Sequence, residues 1–463
     1  MARIDSEAQP LAQVLGLGMS GLAAARLLQS QNYRVQVFDT NNSDTLQQRQ
    51  RQLAELGIAV FLNQFPQFQD DALPELVVVS PGIAWYHPTL ETARKLGIKV
   101  IGEVELAWQY LQHLPWVGIT GTNGKSTTTA LIASIFQAGG LRAIACGNIG
   151  LPICEVALNY LNGTLAIDWI IAELSSYQIE ASPSVSPRIG IWTTFTPDHL
   201  DRHGTLENYS RIKGSLLRRS QQAILNGDDA YLASVQSEWQ TAIYTSIQQQ
   251  IKDGYVVWQN QPLFPVSLFQ LLGEHNLQNL LVAVVASCLA GIDPRAISSA
   301  VAKFQGMPHR LEVVAKCANL VFINDSKATN YDSAEVALKA VSPPVILIAG
   351  GQAKSGSAQG WLKLIQQKVI KVLLIGSASR LFAEMLEHKG YTDYIQCETL
   401  ANAISQAYSL GQNFTSAVTV LFSPACASFD QFANFEQRGD HFRELCQALS
   451  QNPCQEPKLS LLE

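Results

Sequence analysis

The 463-residue sequence has no Cys-x-x-Cys pair and no Cys/His cluster at zinc-ligand spacing, so a zinc ribbon or finger is excluded and its eight scattered cysteines read as free thiols of a reduced compartment. No apolar run reaches membrane-spanning length. The first residues, MARIDSEAQP, lack a basic segment followed by an apolar core, and a cytoplasmic protein without membrane insertion is expected. Excess positive charge is absent too: 32 Lys and Arg against 38 Asp and Glu give a formal charge of -6, which argues against a nucleic-acid binder. A few local cations are still enough to hold an anionic small molecule. What is present is an ordinary globular composition, 47% hydrophobic and 15% charged, over a length that suggests three domains.

Short β-branched runs alternate with amphipathic stretches almost throughout, the pattern of parallel sheets covered by helices, so the fold class is α/β. A first block, residues 1–103, runs from AQVLGL at 12–17 through VQVF and LVVVS to a helical stretch near Glu103, and reads as a Rossmann-like N-terminal domain. A second, 104–309, opens with WVGIT at 116–120 and carries TGTNGKST, DWIIAEL, IGIWTTF and a helix near His275, as a central P-loop ATPase-like domain. The third, 310–463, repeats the rhythm with VFIND, VILIAG, VLLIG and VTVLFS as a C-terminal doubly wound α/β domain. The Pro, Gln and Asn-rich stretch around 247–266 reads as a hairpin excursion within the middle block, and NPCQEPKLSLLE as a frayed end. No internal repeat is visible.

In TGTNGKST, Gly121 and Gly124 follow a strand and precede a helix, so backbone N–H groups of Gly121, Thr122, Asn123, Gly124 and Thr127 are placed to face phosphate oxygens. Lys125 adds a point charge and Ser126 a hydroxyl for Mg²⁺. The general pattern GxxxxGK[ST] would put its first glycine at Ile119, so this loop is a variant. Glu173 ends an apolar strand at the ligand-binding edge of a parallel sheet. Asp198, His199, Asp201 and His203 crowd one turn, which is either polar surface or a site. By composition alone Lys213 reads as a solvated helical lysine. In GEHNLQNLLVA, Asn276 and Asn279 open a helix, either as caps or as amide donors to a base. GLGMSG, Gly16 to Gly21, with Asp39 ending the next strand, fits a dinucleotide fingerprint; the same turn holds any pyrophosphate, so a nicotinamide cofactor and a UDP-sugar both remain open.

TGTNGKST resembles the phosphate loop of the Mur ligases and of the related folylpolyglutamate synthases, which share the displaced glycine, and the resemblance to Mur ligases extends from Gly16 to Phe435. The folylpolyglutamate synthases do not account for GLGMSG or DSKATN, and a dinucleotide-dependent oxidoreductase does not account for the second nucleotide loop. The resemblance implies ATP and Mg²⁺ at two sites, with Lys125, Glu173, His199 and Lys213 as the catalytic group. Ser126 and Glu173 would take one metal ion. His199 and Lys213, the latter carboxylated on its side-chain nitrogen by CO₂, would take the other. It implies ATP contacts from Asn279, from Arg310 where the last domain begins, and from Asp325.

The same likeness places the UDP-muramoyl substrate on Gly18, Ser20, Gly21, Asp39, Thr40, Ser80 and Gly82 of SPGI, Asn148 of GNIG and His199, with Asn41 where an arginine is common. In the last block DSKATN and SPACASFDQF resemble the members that add D-glutamate, and a DNPR motif of the diamino-acid-adding members is absent. Lys327, Thr329, Lys354, Ser428, Phe429 and Phe435 would grip D-glutamate. The implied activity is ATP-dependent amide ligation of D-glutamate to UDP-N-acetylmuramoyl-L-alanine through an acyl phosphate, in a monomer that binds no nucleic acid.

Overall fold

The computed structural model describes residues 9–68, 73–354 and 356–451; the stretch 452–463, expected to fray, lies outside them, as do residues 1–8. Three parallel or mostly parallel sheets carry the fold, as the alternation of strand and helix signals leads one to expect. The first contains β1 (Leu11–Leu15), β2 (Arg34–Asp39), β3 (Ala59–Leu62), β4 (Leu76–Val79) and β5 (Lys99–Gly102) in the order β3-β2-β1-β4-β5, all parallel. Its order reverses between β1 and β4, and a crevice opens at their carboxyl ends, where ligands of open α/β sheets bind.

The second sheet contains β6 (Trp116–Thr120), β7 (Ala143–Gly147), β8 (Trp169–Glu173), β9 (Ile189–Trp192), β10 (Gln222–Asn226) and β11 (Ile243–Thr245), in the order β11-β10-β9-β6-β8-β7. Strands β6, β8 and β9 are buried at every position, which is why their sequences read as unbroken apolar runs rather than alternations. The excursion expected near 247–266 is a small antiparallel sheet of β12 (Ile251–Lys252), β13 (Tyr255–Trp258) and β14 (Gln261–Pro265). A last sheet holds β15 (Glu312–Cys317), β16 (Leu320–Asn324), β17 (Val345–Gly350), β18 (Val369–Ile375), β19 (Tyr394–Glu398) and β20 (Val418–Phe422), in the order β15-β16-β20-β17-β18-β19. Only its edge strand β15 runs antiparallel.

The first two sheets share one continuous hydrophobic core, and the described residues up to 269 together with 277–304 pack as a single compact unit. Trp108 and Trp116 meet edge to face at 5.0 Å across the junction. Residues 270–276 and the described residues from 305 onward form a second unit with its own cores on the two faces of the last sheet. Among the described residues all seven cysteines are free thiols, and no helix is long and apolar enough to cross a membrane.

A buried carboxyl lies inside the junction of the first two sheets. Glu103, the first residue of the helix Glu103–Leu111, is buried, and its Oε1 accepts the backbone N–H of Cys154 at the start of the helix Ile153–Leu161. Its Oε2 has no hydrogen-bond partner. Burial pushes the carboxyl up from 4.5 to about 7, against the lowering effect of the Cys154 and Ile153 N–H groups. The folded state therefore holds a proton that the unfolded chain releases, so stability falls as pH rises from 4.5 to about 7 and is level above that. Replacing Glu103 with Gln, measured by thermal melts at about pH 5 and pH 7.5, is expected to shift stability in the variant's favour at the higher pH, by at most on the order of 3 kcal/mol. An unchanged difference between wild type and Glu103→Gln at the two pH values would contradict this account of Glu103.

Candidate functional site

The phosphate loop leaves β6 and turns into the helix Lys125–Ala138 through two left-handed glycines, Gly121 at φ 149° and Gly124 at φ 83°. Neither admits a side chain: a Cβ on Gly121 would collide with Thr193 Oγ1, and one on Gly124 with Asn279 Oδ1. Asn279 is buried there and also accepts from Thr128 Oγ1 at 3.3 Å, so it packs on the loop. Thr193 and Thr194, following the neighbouring strand β9, bind the loop backbone from the other side.

Two lysines converge on this loop. Lys125 folds back so that Nζ donates to the carbonyls of Gly121 at 2.8 Å and Thr122 at 2.9 Å. Lys213, on the helix Leu206–Arg219, donates from Nζ to the same Gly121 carbonyl at 2.8 Å and to Thr120 Oγ1 at 3.4 Å. Lys213 is only 1% exposed, so the solvated-lysine reading is overturned. Burial first, and the neighbouring Lys125 charge second, hold its pKa well below the ordinary lysine value, while Asp198 and Glu173 oppose the shift. An amine in that position is readily neutral and nucleophilic.

Glu173 ends β8, beside β6, and is 1% exposed. Its Oε1 accepts from Asn148 Nδ2 at 2.9 Å, and its Oε2 has no partner. Thr127 Oγ1, on the first turn of the loop helix, is likewise buried without a partner, and Ser126 beside it is buried. An orphaned carboxylate oxygen and hydroxyl at a phosphate loop fit a hydrated divalent cation bound with a nucleotide. Among the described residues no three His, Cys, Asp or Glu side chains gather into a metal site. A cation here must draw on Ser126, on phosphate or on a modified Lys213.

His199 caps the short helix Leu200–His203. It has left-handed backbone, φ 53°, and a half-exposed ring with Nε2 3.4 Å from Asp198 Oδ2 and packed 5.1 Å from Tyr177. His203, which the sequence only grouped with it, is buried, bonded to Ser176 Oγ at 2.9 Å and stacked on Tyr209. Burial, then Arg202, lowers His203 to about 4, so it is neutral near pH 7.

In the first sheet a cavity of about 490 Å³ lies over the glycine turn, and Gly18, Ser20, Asp39, Thr40, Ser80 and Gly82 all line it. Gly21 sits behind the lining, pressed against the Gly16 carbonyl. Asp39 shapes the turn: one oxygen accepts the Leu17 N–H at 2.8 Å and the other the Asn41 N–H at 2.9 Å. Ser80 Oγ donates to the Gly16 carbonyl at 3.1 Å. Asn148 lies instead on Glu173, at the phosphate-loop end of the unit.

In the second unit the loops after β16, β20 and β17, three neighbouring strands, meet at one sheet edge. Asp325 is buried, accepts from Ser423 Oγ at 2.7 Å, and is raised to about 7 by burial, with Ser423 and Arg310 opposing. Arg310 lies between left-handed His309 and Leu311. Lys327 Nζ lies 5.5 Å over the Phe435 ring. Ser428 is buried; Thr329 and Phe435 are partly exposed; Lys354 and Phe429 face solvent. Arg438, which sequence reasoning missed, stitches these loops together. Buried, it donates to Ser326 Oγ and the carbonyls of Ser326, Cys426 and Ala427. A lone arginine in a helical stretch carries no local signal of that role.

Family profiles match all three sheets: "Mur ligase MurD-like, N-terminal domain" at residues 11–102, "Mur ligase middle domain" at 119–287 and "Mur ligase, glutamate ligase domain" at 309–426. The chain is 52% identical over 450 residues to a protein of Gloeothece citriformis named UDP-N-acetylmuramoylalanine--D-glutamate ligase, covering 94% of this chain and 99% of the relative. It is 54% identical over 451 residues to a protein of that name from Nostoc sp., covering 94% and 96%. Its fold is similar to UDP-N-acetylmuramate-alanine ligase MurC from Thermotoga maritima, with TM-score 0.57 at 18% identity over 95% of this chain and all of that one.

The loop geometry makes Gly124 a sensitive backbone position. Gly124→Ala forces a Cβ into Asn279 at a left-handed residue, a strain of roughly 1–2 kcal/mol before the clash is counted. A lower melting temperature and loss of nucleotide binding by calorimetry are expected; wild-type nucleotide affinity in the variant would contradict the fit of the loop.

Proposed function

The chain belongs to the Mur ligase family, and we propose on that footing that it is an ATP-dependent amide ligase joining D-glutamate to UDP-N-acetylmuramoyl-L-alanine in peptidoglycan precursor synthesis. What carries the reading is that relatives bearing that specificity in their names match along nearly the whole chain at about half identity. We assign residues 1–103 to the UDP-substrate, 104–309 to ATP and 310–463 to the amino acid. The enzyme acts as a cytoplasmic monomer.

ATP phosphorylates the carboxylate of UDP-N-acetylmuramoyl-L-alanine, giving an acyl phosphate and ADP. The neutral amine of D-glutamate attacks the acyl carbon, and the tetrahedral adduct expels phosphate, which carries off the amine's proton, and leaves the amide. In this reading the backbone N–H groups from Gly121 to Thr127 hold the phosphates, and Lys125 leaves its own loop carbonyls to follow the transferring phosphoryl group. Bound Mg²⁺, at one site on Ser126 and Glu173 and at a second on His199 and carboxylated Lys213, would neutralise phosphate charge. The orphaned Glu173 oxygen supports the first assignment. Carboxylation of Lys213 is supported by its burial: a neutral amine adds to the carbon of CO₂, loses a proton, and becomes an anion beside Lys125 in place of a competing cation.

The cavity over the glycine turn receives the UDP portion. Asp39 braces the turn beneath this cavity by accepting the Leu17 and Asn41 N–H groups. The loops after β16, β17 and β20, with Lys327, Thr329, Lys354, Ser428, Phe429 and Phe435, receive D-glutamate. A dicarboxylate is matched there by lysines and hydroxyls.

Phosphate release from ATP, with UDP-N-acetylmuramoyl-L-alanine and Mg²⁺ present, is expected with D-glutamate and not with L-glutamate, meso-diaminopimelate or L-lysine. Turnover with one of the other acceptors would overturn the amino-acid assignment. Lys125→Ala is expected to lower kcat at least about 100-fold, the scale of losing one positioned donor to developing charge.

A further inference from the structure

Arg202, in the short helix Leu200–His203, bonds a turn that lies 119 residues away in sequence. Its Nη2 donates at 2.8 Å to the carbonyl of Ile83, in the turn that borders the cavity over the glycine turn. Its guanidinium lies 4.5 Å over the ring of Tyr177. Tyr177 in turn packs against His199 at 5.1 Å and His203 at 5.3 Å. At the other end Ser80 fastens the same turn to the Gly16 carbonyl. An unbroken run of contacts thus leads from the glycine turn through Ser80, Ile83, Arg202 and Tyr177 to His199.

His199 needs such support. Its ring is half exposed, its backbone is left-handed, and among the described residues Asp198 is its one ionic neighbour within 4.0 Å. A planar guanidinium can donate in its plane to a carbonyl while its face rests on an aromatic ring, which an ammonium cannot do. The competing role for Arg202 is simple charge balance, since Glu180 sits among Arg202, Arg211 and Arg94.

Resting on the functional reading above, we propose that Arg202 is a positioning residue that couples the two substrate sites of this unit. The UDP-sugar in the cavity fixes the Ser80–Ile83 turn, the turn fixes Arg202 and Tyr177, and these fix His199 beside the nucleotide. Binding on either side then tightens binding on the other by the same factor.

Calorimetric titration with β,γ-imido-ATP and Mg²⁺, with and without saturating UDP-N-acetylmuramoyl-L-alanine and without D-glutamate, reads this factor directly. In the unchanged protein the UDP-sugar is expected to tighten imido-ATP binding about fivefold or more. Arg202→Gln is expected to reduce the factor to under about twofold, with each ligand alone bound within about threefold of its normal affinity. Tyr177→Leu breaks the run one link further and is expected to give the same loss. Arg202→Lys keeps the charge without restoring the coupling, and Glu180→Gln keeps the coupling. Full coupling in Arg202→Gln or Tyr177→Leu, no coupling in the unchanged protein, or a loss in Glu180→Gln equal to that in Arg202→Gln would each overturn the proposal. An unchanged protein that binds imido-ATP and not the UDP-sugar would instead overturn the functional reading beneath it.

Discussion

Two lysine side chains share one carbonyl oxygen at the centre of the first unit. Lys125 and Lys213 both donate at 2.8 Å to Gly121, and Lys213 does so while buried. Two ammonium groups in a site of low dielectric repel each other, and a buried one also forfeits its hydration. Something must give: one amine releases its proton, or anions arrive. The orphaned Glu173 oxygen and the phosphates of bound ATP answer one half of that demand, and the carbamate proposed on Lys213 would answer the other.

The rest of the unit serves to hold this pair in place. Parallel strands β9, β6 and β8 deliver Thr193, the phosphate loop and Glu173 to one carboxyl edge, because neighbouring parallel strands end on the same side. The loop can be tight enough only because Gly121 and Gly124 carry no Cβ against Thr193 and Asn279. Shared core between the first two sheets, closed by Trp108 on Trp116, gives the glycine-turn cavity and the phosphate loop a common rigid frame. Residues that hold a reacting constellation through packing rather than through contact with substrate, such as Arg202 here and Arg438 in the second unit, follow from the same need.

The parts of this architecture that are written locally were legible in the sequence. WVGIT as a strand, TGTNGKST as a strand-to-helix phosphate loop, the excursion or hairpin around 247–266 and the glycine turn answered by Asp39 all rest on neighbours within a few tens of residues. The parts that depend on distant packing were not. Lys213 reads as a surface lysine because its helix is amphipathic and polar around it, and only the fold brings Gly121 and Tyr209 over its amine. Glu103 reads as the start of a helix, and its burial arises from Cys154, 51 residues on. His203 was noticed but not separated from His199, although one is buried on Ser176 and the other faces solvent.

The state of Lys213 is the point on which the chemistry turns. Carbon-13 magnetic resonance of the intact protein in ¹³C-bicarbonate, compared with Lys213→Ala, reads it directly. A carbamate resonance that is present in the unchanged protein and missing from the variant is the predicted result. No carbamate signal under conditions in which the enzyme turns over would contradict the account, and would return Lys213 to the part of a buried structural lysine.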